Sequence, residues 1–400
     1  MQPPSPTTTP PPGHCPNCHT PGMSVFYRVA RVPVHSVLLM ETREQARNYP
    51  TGDIQLGFCH TCGFISNLVF DPSLHEYSSK YEATQSYSPT FNKFHRTLAQ
   101  NLIERHNLRG KDIIEIGCGQ GEFLILLCEM GNNYGIGFDP AYNHYPLESE
   151  ARERITFVKD FYSEKYTHVQ GDFVVCKMTL EHIPNTAEFV GMVRRAVGDR
   201  PETTIFFQIP SVRRILHECA FWDIYYEHCS YFSRESLTYL FEHAGFEVLR
   251  VAEEYDHQYL TIEARPRLPT QPAPPPPPTA ELARQVQAFA QNVPQKLAWW
   301  REKLQHIRAN GQRAVIWGGG SKGVAFLTTL DISDEIGCAV DINPKKHGTF
   351  MAGSGHEIVA PEFLRHYRPD VVIIMNPIYR AEISRDLQRM GLHPEILTVE

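Results

Sequence analysis

The sequence predicts an α/β protein in which a small cysteine-bound module precedes two successive α/β units. Three observations carry this. Apolar runs alternate with helical stretches twice over, two CxxC pairs stand near the front of the chain, and a proline-rich run sets the last unit apart. With 400 residues the chain has room for two to three domains of roughly 150 residues each. At 42% hydrophobic and 21% charged residues it can bury real cores. A net charge of −7 gives no general attraction to nucleic acid or to an anionic membrane.

The opening "MQPPSPTTTPPP" lacks both the basic and the apolar region of a signal peptide, so residues 1–13 are expected to be a disordered tail. No apolar run approaches the ~18 residues needed to span a bilayer. Without a secretion signal, the ten cysteines point to metal binding or burial rather than disulfides, and a cytoplasmic location is expected.

Residues 14–75 are read as a zinc-binding module. "CPNC" (Cys15, Cys18) and "CHTC" (Cys59, Cys62) lie about 40 residues apart. Four thiolates offered from two tight turns suit tetrahedral zinc with all four positions closed. His14, His19 and His60 are expected to be bystanders. The segment reads as poor in strands and in core residues, so metal binding would supply folding free energy that packing does not.

Residues 76–265 form the first α/β unit. "DIIEIG", "YGIGFD", "ITFVKD", "DFVVCKM" and "TTIFFQIP" read as strands buried on both faces, the pattern of a parallel sheet flanked by helices. "DIIEIGCGQGEFLILL" places Gly117, Gly119 and Gly121 between a strand and a helix, where a ligand can approach the backbone at the helix N-terminus. The third glycine comes one position too early for the dinucleotide fingerprint. Glu115 beside this loop would repel a pyrophosphate but can accept from an ammonium group. Asp139, ending the next strand, can take both ribose hydroxyls. Asp160 and Phe161, after "ITFV", can meet an adenine by hydrogen bond and by packing. Three acids at successive strand ends, with no paired basic phosphate site, suit S-adenosylmethionine (SAM) better than NAD.

The loop, the "TLEHIP" segment (Thr179 to Pro184) and the strand order resemble a class I SAM-dependent methyltransferase. With the CxxC module in front and a second α/β domain behind, the chain from Cys15 onward resembles the three-domain sugar C-methyltransferases of deoxysugar biosynthesis. The resemblance implies a SAM-binding first unit, a structural zinc ion and a nucleotide-linked sugar as substrate.

"DIYYEHCSYFS" (Asp223 to Ser233) follows the fifth strand and is expected at the C-terminal strand ends, where ligands of open parallel sheets bind. Methylating a carbon beside a carbonyl requires a base, a group that orients it and donors for the enolate oxygen. His228 is the candidate base and Glu227 the orienting group, with Tyr225 and Tyr231 as donors. The resembled family's tyrosine–x–glutamate–histidine run falls on Tyr225, Glu227 and His228. A further family tyrosine upstream of the glycine loop falls on Tyr81, with Tyr87 a neighbouring alternative. His182 is a rival base, more often a pocket-wall residue; His217 and His243 are read as surface or structural.

"PRLPTQPAPPPPPTA" (residues 266–280) favours stiff polyproline II and is read as a linker. Residues 281–400 follow. Val286, Phe289, Val293, Leu297 and Leu304 mark a helix over roughly Glu281 to Asn310, which Pro294 is expected to kink or split. "RAVIWGGG", "IGCAVD" and "PDVVIIMN" are strands. "VIWGGGSKG" satisfies GxGxxG through Gly318, Gly320 and Gly323, with Asp341 ending the next strand. Val324 stands where a P-loop needs lysine. In the resembled family this domain is a Rossmann relative that holds substrate, and Lys322 could meet a pyrophosphate.

The chain departs from the sugar-acting pattern at "YDHQYLTIEA" (Tyr255 to Ala264), which lacks a Gly-Gly-Ser turn, and at "MNPIY" (Met375 to Tyr379), which lacks a tryptophan. The function expected is C-methylation of a carbon next to a carbonyl, through an enolate formed by His228. Competing readings are an O- or N-methyltransferase and, through Gly318–Gly323, an NAD-dependent oxidoreductase. No nucleic-acid or membrane partner is expected, and a monomer is favoured.

Overall fold

The computed structural model describes residues 13–74, 81–143, 148–267 and 273–400. Residues 1–12 of the expected tail and residues 268–272 of the expected linker lie outside these. Within the proline run, residues 273–279 have no helix or strand, whereas Pro266 ends a strand and Ala280 begins a helix. Among the described residues no helix is long and apolar enough to cross a membrane.

The N-terminal module is not poor in strands. It contains β1 (Ser24–Pro33), β2 (Thr51–Phe58) and β3 (Ile65–Asn67), paired antiparallel in the order β1-β2-β3. Two features hide this in the sequence. The connection from Pro33 to Thr51 is too long to look like a hairpin turn, and β1 carries Arg28 and Arg31 on an exposed edge. Nor does the module stand on a core of its own. Tyr27, Val32, Ile54, Leu56, Phe58 and Ile65 share one apolar cluster with residues of both α/β units.

The first α/β unit brings β4 (Asp112–Ile116), β5 (Tyr134–Phe138), β6 (Ile155–Val158), β7 (Phe173–Lys177) and β8 (Thr204–Pro210), as expected from their continuous apolar runs. The short β9 (Ser230–Tyr231) leaves this unit to pair with β3, so the N-terminal sheet is completed by the stretch that carries His228. β10 (Phe246–Glu254) and β11 (Tyr259–Pro266) form an antiparallel hairpin at the edge of the main sheet. The seven strands run in the order β10-β11-β8-β7-β4-β5-β6, with β6, β5, β4, β7 and β8 mutually parallel. The chain reverses direction about β4, which creates a crevice beyond its C-terminal end.

The C-terminal unit opens with one continuous helix, Ala280–Ala309, which runs through Pro294. Leu282, Val286, Phe289, Val293, Trp300, Leu304 and Ile307 are its buried residues. Phe289 meets Phe26 and Tyr27 of β1 edge-on, at centroid distances of 5.9 and 5.3 Å. Behind it β12 (Ala314–Trp317), β13 (Ala339–Val340), β14 (Ile358–Val359), β15 (Val371–Ile374) and β16 (Glu395–Thr398) make a parallel sheet in the order β14-β13-β12-β15-β16. This unit also holds the start of the helix Pro89–His106, because the buried carboxylate of Glu382 accepts from Ser88 Oγ (2.9 Å), Thr90 Oγ1 (2.6 Å) and Thr90 N (3.2 Å).

Candidate active site

The zinc centre is the simplest part of the site. Cys15 and Cys62 Sγ lie 3.7 Å apart and Cys18 and Cys59 Sγ 3.5 Å apart, with all four sulfurs within 4.8 Å of one another. Thiolates around tetrahedral zinc at about 2.3 Å stand about 3.8 Å from each other, so the four fit the ion and leave no open position. His60 turns to Ser24 Oγ (2.9 Å), consistent with a bystander.

The first glycine loop leaves β4 and enters the helix Glu122–Gly131. A Cβ on Gly117 would lie 2.1 Å from Thr179 Oγ1, so glycine here lets the loop pack against the segment after β7. Gly119 has φ +56°, and a Cβ placed on it would meet nothing within 4 Å, so its backbone is approachable. Asp139 accepts from Gly119 N and Ala141 N, both at 2.8 Å, and burial raises its pKa. Glu115 accepts from Leu124 N (3.0 Å), and burial pushes its pKa up to about 8. Asp160 bonds Lys165, Tyr166 Oη (2.8 Å) and Phe161 N (2.8 Å), and those of Lys165 and Tyr166 hold it below the usual carboxylate range. Phe161 is exposed at the rim.

Lys177, at the end of β7, is a member of this pocket that sequence reasoning missed. Its Nζ lies 2.9 Å from His95 Nε2 and 3.8 Å from the Phe123 ring centroid, and burial lowers its pKa to about 8. Burial and that ammonium take His95 down to about 2. A lysine closing an otherwise apolar strand was the available signal.

Beyond the strand ends lies the aromatic–acid–histidine stretch. Tyr225 O accepts from His228 N (3.1 Å), closing a turn that sets the two side chains together at a centroid distance of 4.1 Å. His182 stands edge-on to His228 at 4.9 Å, and Tyr231 lies 6.3 Å away. His228 is 4% exposed, and burial, with His182 and Lys322 nearby, holds its pKa well below the usual histidine range. The ring is therefore neutral. Among the described residues its Nδ1 has no hydrogen-bond partner. Tyr225 and Tyr231 are both pushed well above the usual tyrosine range by burial, so they stay protonated donors. Tyr81 pairs with Leu38 and is an electrostatic neighbour of Tyr225, whereas Tyr87 is 40% exposed.

Glu227 does not orient His228. Its carboxylate turns into the N-terminal module, where it accepts from Ser36 N (3.0 Å), from the Ser36 hydroxyl and from His35 Nδ1 (3.2 Å). Burial alone would raise its pKa; the hydrogen bonds from His35 and Ser36 offset this and hold it below the usual range. Its backbone carbonyl instead receives His182 Nδ1 at 3.0 Å. His35 and Ser36 carried no motif and could be found only through the fold.

Lys322 and the second glycine loop come to the same place. Lys322 donates to Asp223, which also takes Arg214, and Ser321 Oγ bonds Ser36 Oγ at 2.8 Å. Asp341 accepts from Gly319 N (3.0 Å), Asn343 N (2.8 Å) and Lys346 Nζ (3.2 Å). Lys346 thus occupies the carboxylate that a dinucleotide ribose would use. The two segments that depart from the sugar-acting pattern also meet: Tyr255 Oη lies 2.8 Å from Tyr379 Oη, and the amides of Gln258 and Asn376 exchange hydrogen bonds at 3.0 and 2.9 Å.

Residues 90–251 match a family described as "Methyltransferase domain", and residues 280–393 match "C-methyltransferase C-terminal domain". The C-methyltransferase NovU of Streptomyces niveus is 27% identical over 72% of this chain and 72% of its own. Among solved structures, a 1,6-didemethyltoxoflavin-N1-methyltransferase of Burkholderia thailandensis is 13% identical, covering 45% of this chain and 82% of its own, with a TM-score of 0.34. The magnesium protoporphyrin IX methyltransferase of Synechocystis PCC 6803 is 15% identical over 45% and 84%, also at 0.34. The two matched domains, the NovU homology and the cysteine centre agree: the chain is a SAM-dependent methyltransferase with a C-methyltransferase C-terminal domain and a structural zinc site, homologous to the C-methyltransferase NovU.

Proposed function

We propose that this enzyme methylates a carbon next to a carbonyl, through an enolate, on a nucleotide-linked keto-deoxysugar. The observation that carries the reading is His228: a buried, neutral imidazole with an unpartnered nitrogen, set against Tyr225 at the C-terminal ends of the sheet strands. An imidazole in that form can accept a proton. NovU, a C-methyltransferase by name, supports a carbon acceptor.

SAM, when bound, supplies an electrophilic methyl group and leaves as S-adenosylhomocysteine. In this reading Asp139 takes the ribose hydroxyls, Asp160 and Phe161 meet the adenine, and Gly117, Gly119 and Gly121 let the ligand approach the backbone. Glu115 receives the ammonium group, which would return its buried carboxyl toward the charged form. His228 removes the α-proton, while Tyr225, Tyr231 and Tyr81 donate to the acceptor. Glu227 is a positioning residue that acts on His182 through its carbonyl. Lys322, with Gly318, Gly320 and Gly323, faces the nucleotide end of the acceptor.

The test is incubation with a thymidine-diphosphate-linked 4-keto-6-deoxyhexose in deuterated water, with and without SAM, followed by mass spectrometry. Deuterium uptake without SAM and an added methyl with it are expected. His228→Asn should abolish both while leaving SAM affinity intact. Methyl transfer with no exchange would instead indicate O- or N-methylation, where positioning alone can suffice. The altered contact between Tyr255–Gln258 and Asn376–Tyr379 makes the acceptor's sugar part the first element to vary.

A further inference from the structure

Glu181 lies in the short turn Leu180–His182 that follows β7, and it is 1% exposed. Among the described residues neither of its carboxylate oxygens has a partner in hydrogen-bonding geometry. Its backbone carbonyl accepts from Cys229 N (3.0 Å), which binds this turn to the His228 loop. Each of Glu181, His182 and His228 contributes one nitrogen or oxygen atom, and these lie within 4.8 Å of one another. That is too far for direct hydrogen bonds at the upper limit, but not for a shared guest. A point can be found within about 2.8 Å of three atoms that are no more than 4.8 Å apart, which is hydrogen-bond reach. Unpartnered buried polar atoms are costly, so Glu181 and His228, each carrying one and set close together, call for a partner from a bound ligand. Met178, Thr179, His182 and Tyr225, each only partly buried, border this region.

Resting on the enolate reading above, we propose that Glu181 is a further catalytic residue whose carboxyl group donates a hydrogen bond to the acceptor's carbonyl oxygen as it becomes the enolate oxyanion. The electron balance is simple. The C–H pair becomes the carbon–carbon double bond, the proton passes to His228, and the carbonyl π pair moves onto the oxygen held by Glu181. On methyl transfer the oxygen pair re-forms the carbonyl, and the double-bond pair becomes the new bond from carbon to methyl. The pair of the broken sulfur–methyl bond leaves on the sulfur of S-adenosylhomocysteine, so no external oxidant or reductant is needed.

A donor must be protonated, and burial pushes Glu181 up to about 8. The titratable groups around it are His182 on its own turn, Tyr225, His228 and Cys229 on the facing loop, Cys176 on β7 and Tyr259 on β11. None of them is a cation at neutral pH by which the carboxylate form would be favoured: burial holds His182 and His228 low. Proton donation is therefore lost as pH rises through about 8.

Two measurements test this. First, the infrared difference spectrum of wild type against Glu181→Gln at pH 7, without substrate, should contain the carbonyl band of a protonated carboxylic acid, lost on raising the pH. Its absence overturns the proposal whatever the acceptor, as does a second bound zinc equivalent that disappears in Glu181→Ala. Second, SAM-independent deuterium exchange into the sugar probe should fall about 100-fold in Glu181→Ala, with SAM affinity unchanged. Glu181→Gln, which still donates through its amide, should stay within about tenfold of wild type and lose the alkaline decline. If that variant keeps the decline, or Glu181→Ala exchanges at the wild-type rate, the role of Glu181 fails alone. Wild type that methylates without exchange fails the enolate reading itself. If the sugar probe is not turned over, the infrared band decides.

Discussion

The two glycine loops share a hydrogen-bonding scheme around an aspartate and differ in the charge beside it. Each leaves a central parallel strand, and each has an aspartate ending the neighbouring strand. Asp139 accepts from Gly119 N and from the amide two residues on, Ala141 N; Asp341 accepts from Gly319 N and from Asn343 N. Only Asp341 also carries a lysine, the 8% exposed Lys346. A buried carboxylate without a cation keeps acceptor capacity for a ligand's hydroxyls. One neutralised from within its own domain is a structural ion pair. Among the described residues, the same loop chemistry therefore leaves an aspartate free of any lysine in the first unit and, in the second, one tied to Lys346, while Lys322 bonds Asp223 and Ser321 bonds Ser36 of the N-terminal module. The lesson is that a glycine fingerprint specifies a backbone shape, while the ligand depends on which charges remain unpaired beside it.

That contrast can be broken most severely at Lys346. Lys346→Met strands Asp341 in a buried setting and should cost about 3–5 kcal/mol of stability, read by denaturant unfolding, with SAM affinity unaltered. A cost under about 1 kcal/mol would mean the pair is not structural. Asp139→Ala should weaken SAM binding about 100-fold by calorimetry, the loss of two hydrogen bonds to a charged group, whereas Asp341→Ala should leave it within about twofold. Equal losses would erase the distinction between the loops. Gly323→Ala puts a methyl 2.4 Å from the Gly318 carbonyl oxygen and should destabilise the C-terminal unit by about 1–3 kcal/mol without touching SAM affinity. Smallest is Gly119→Ala. It meets no protein atom, so about 1 kcal/mol of backbone strain is expected in the melting transition, with a loss of SAM affinity as the sharper signal. An unchanged affinity would show that the ligand does not approach this backbone.

Much of the fold was legible because its signals are local. The runs at 112–116, 173–177 and 371–374 are apolar on both faces, which a buried parallel strand requires. The cysteine spacing forecast the zinc centre because each CxxC turn closes on itself and only the meeting of the two turns is tertiary. The N-terminal strands were not legible. β1 is stabilised by Phe289 from the far end of the chain, and β3 is completed by β9, so no window of sequence contains the partners.

The candidate site divides the same way. His228, Tyr225 and the residues of the first glycine loop are candidates that the sequence alone could put forward, because a tight turn and a strand end bring them together locally. Which groups the Glu227 carboxylate meets, His35 and Ser36, and which aspartate carries a lysine were decided only by tertiary packing, as were the contacts of Lys177 and Glu181 inside the first unit. Composition and short-range spacing determined the strands of the two parallel sheets, the zinc ligands and the methyltransferase loop. Charge pairing and burial, which set protonation and hence chemistry, depend on distances between residues as far apart as Ser36 and Glu227 or Asp223 and Lys322, and only the tertiary structure supplies those.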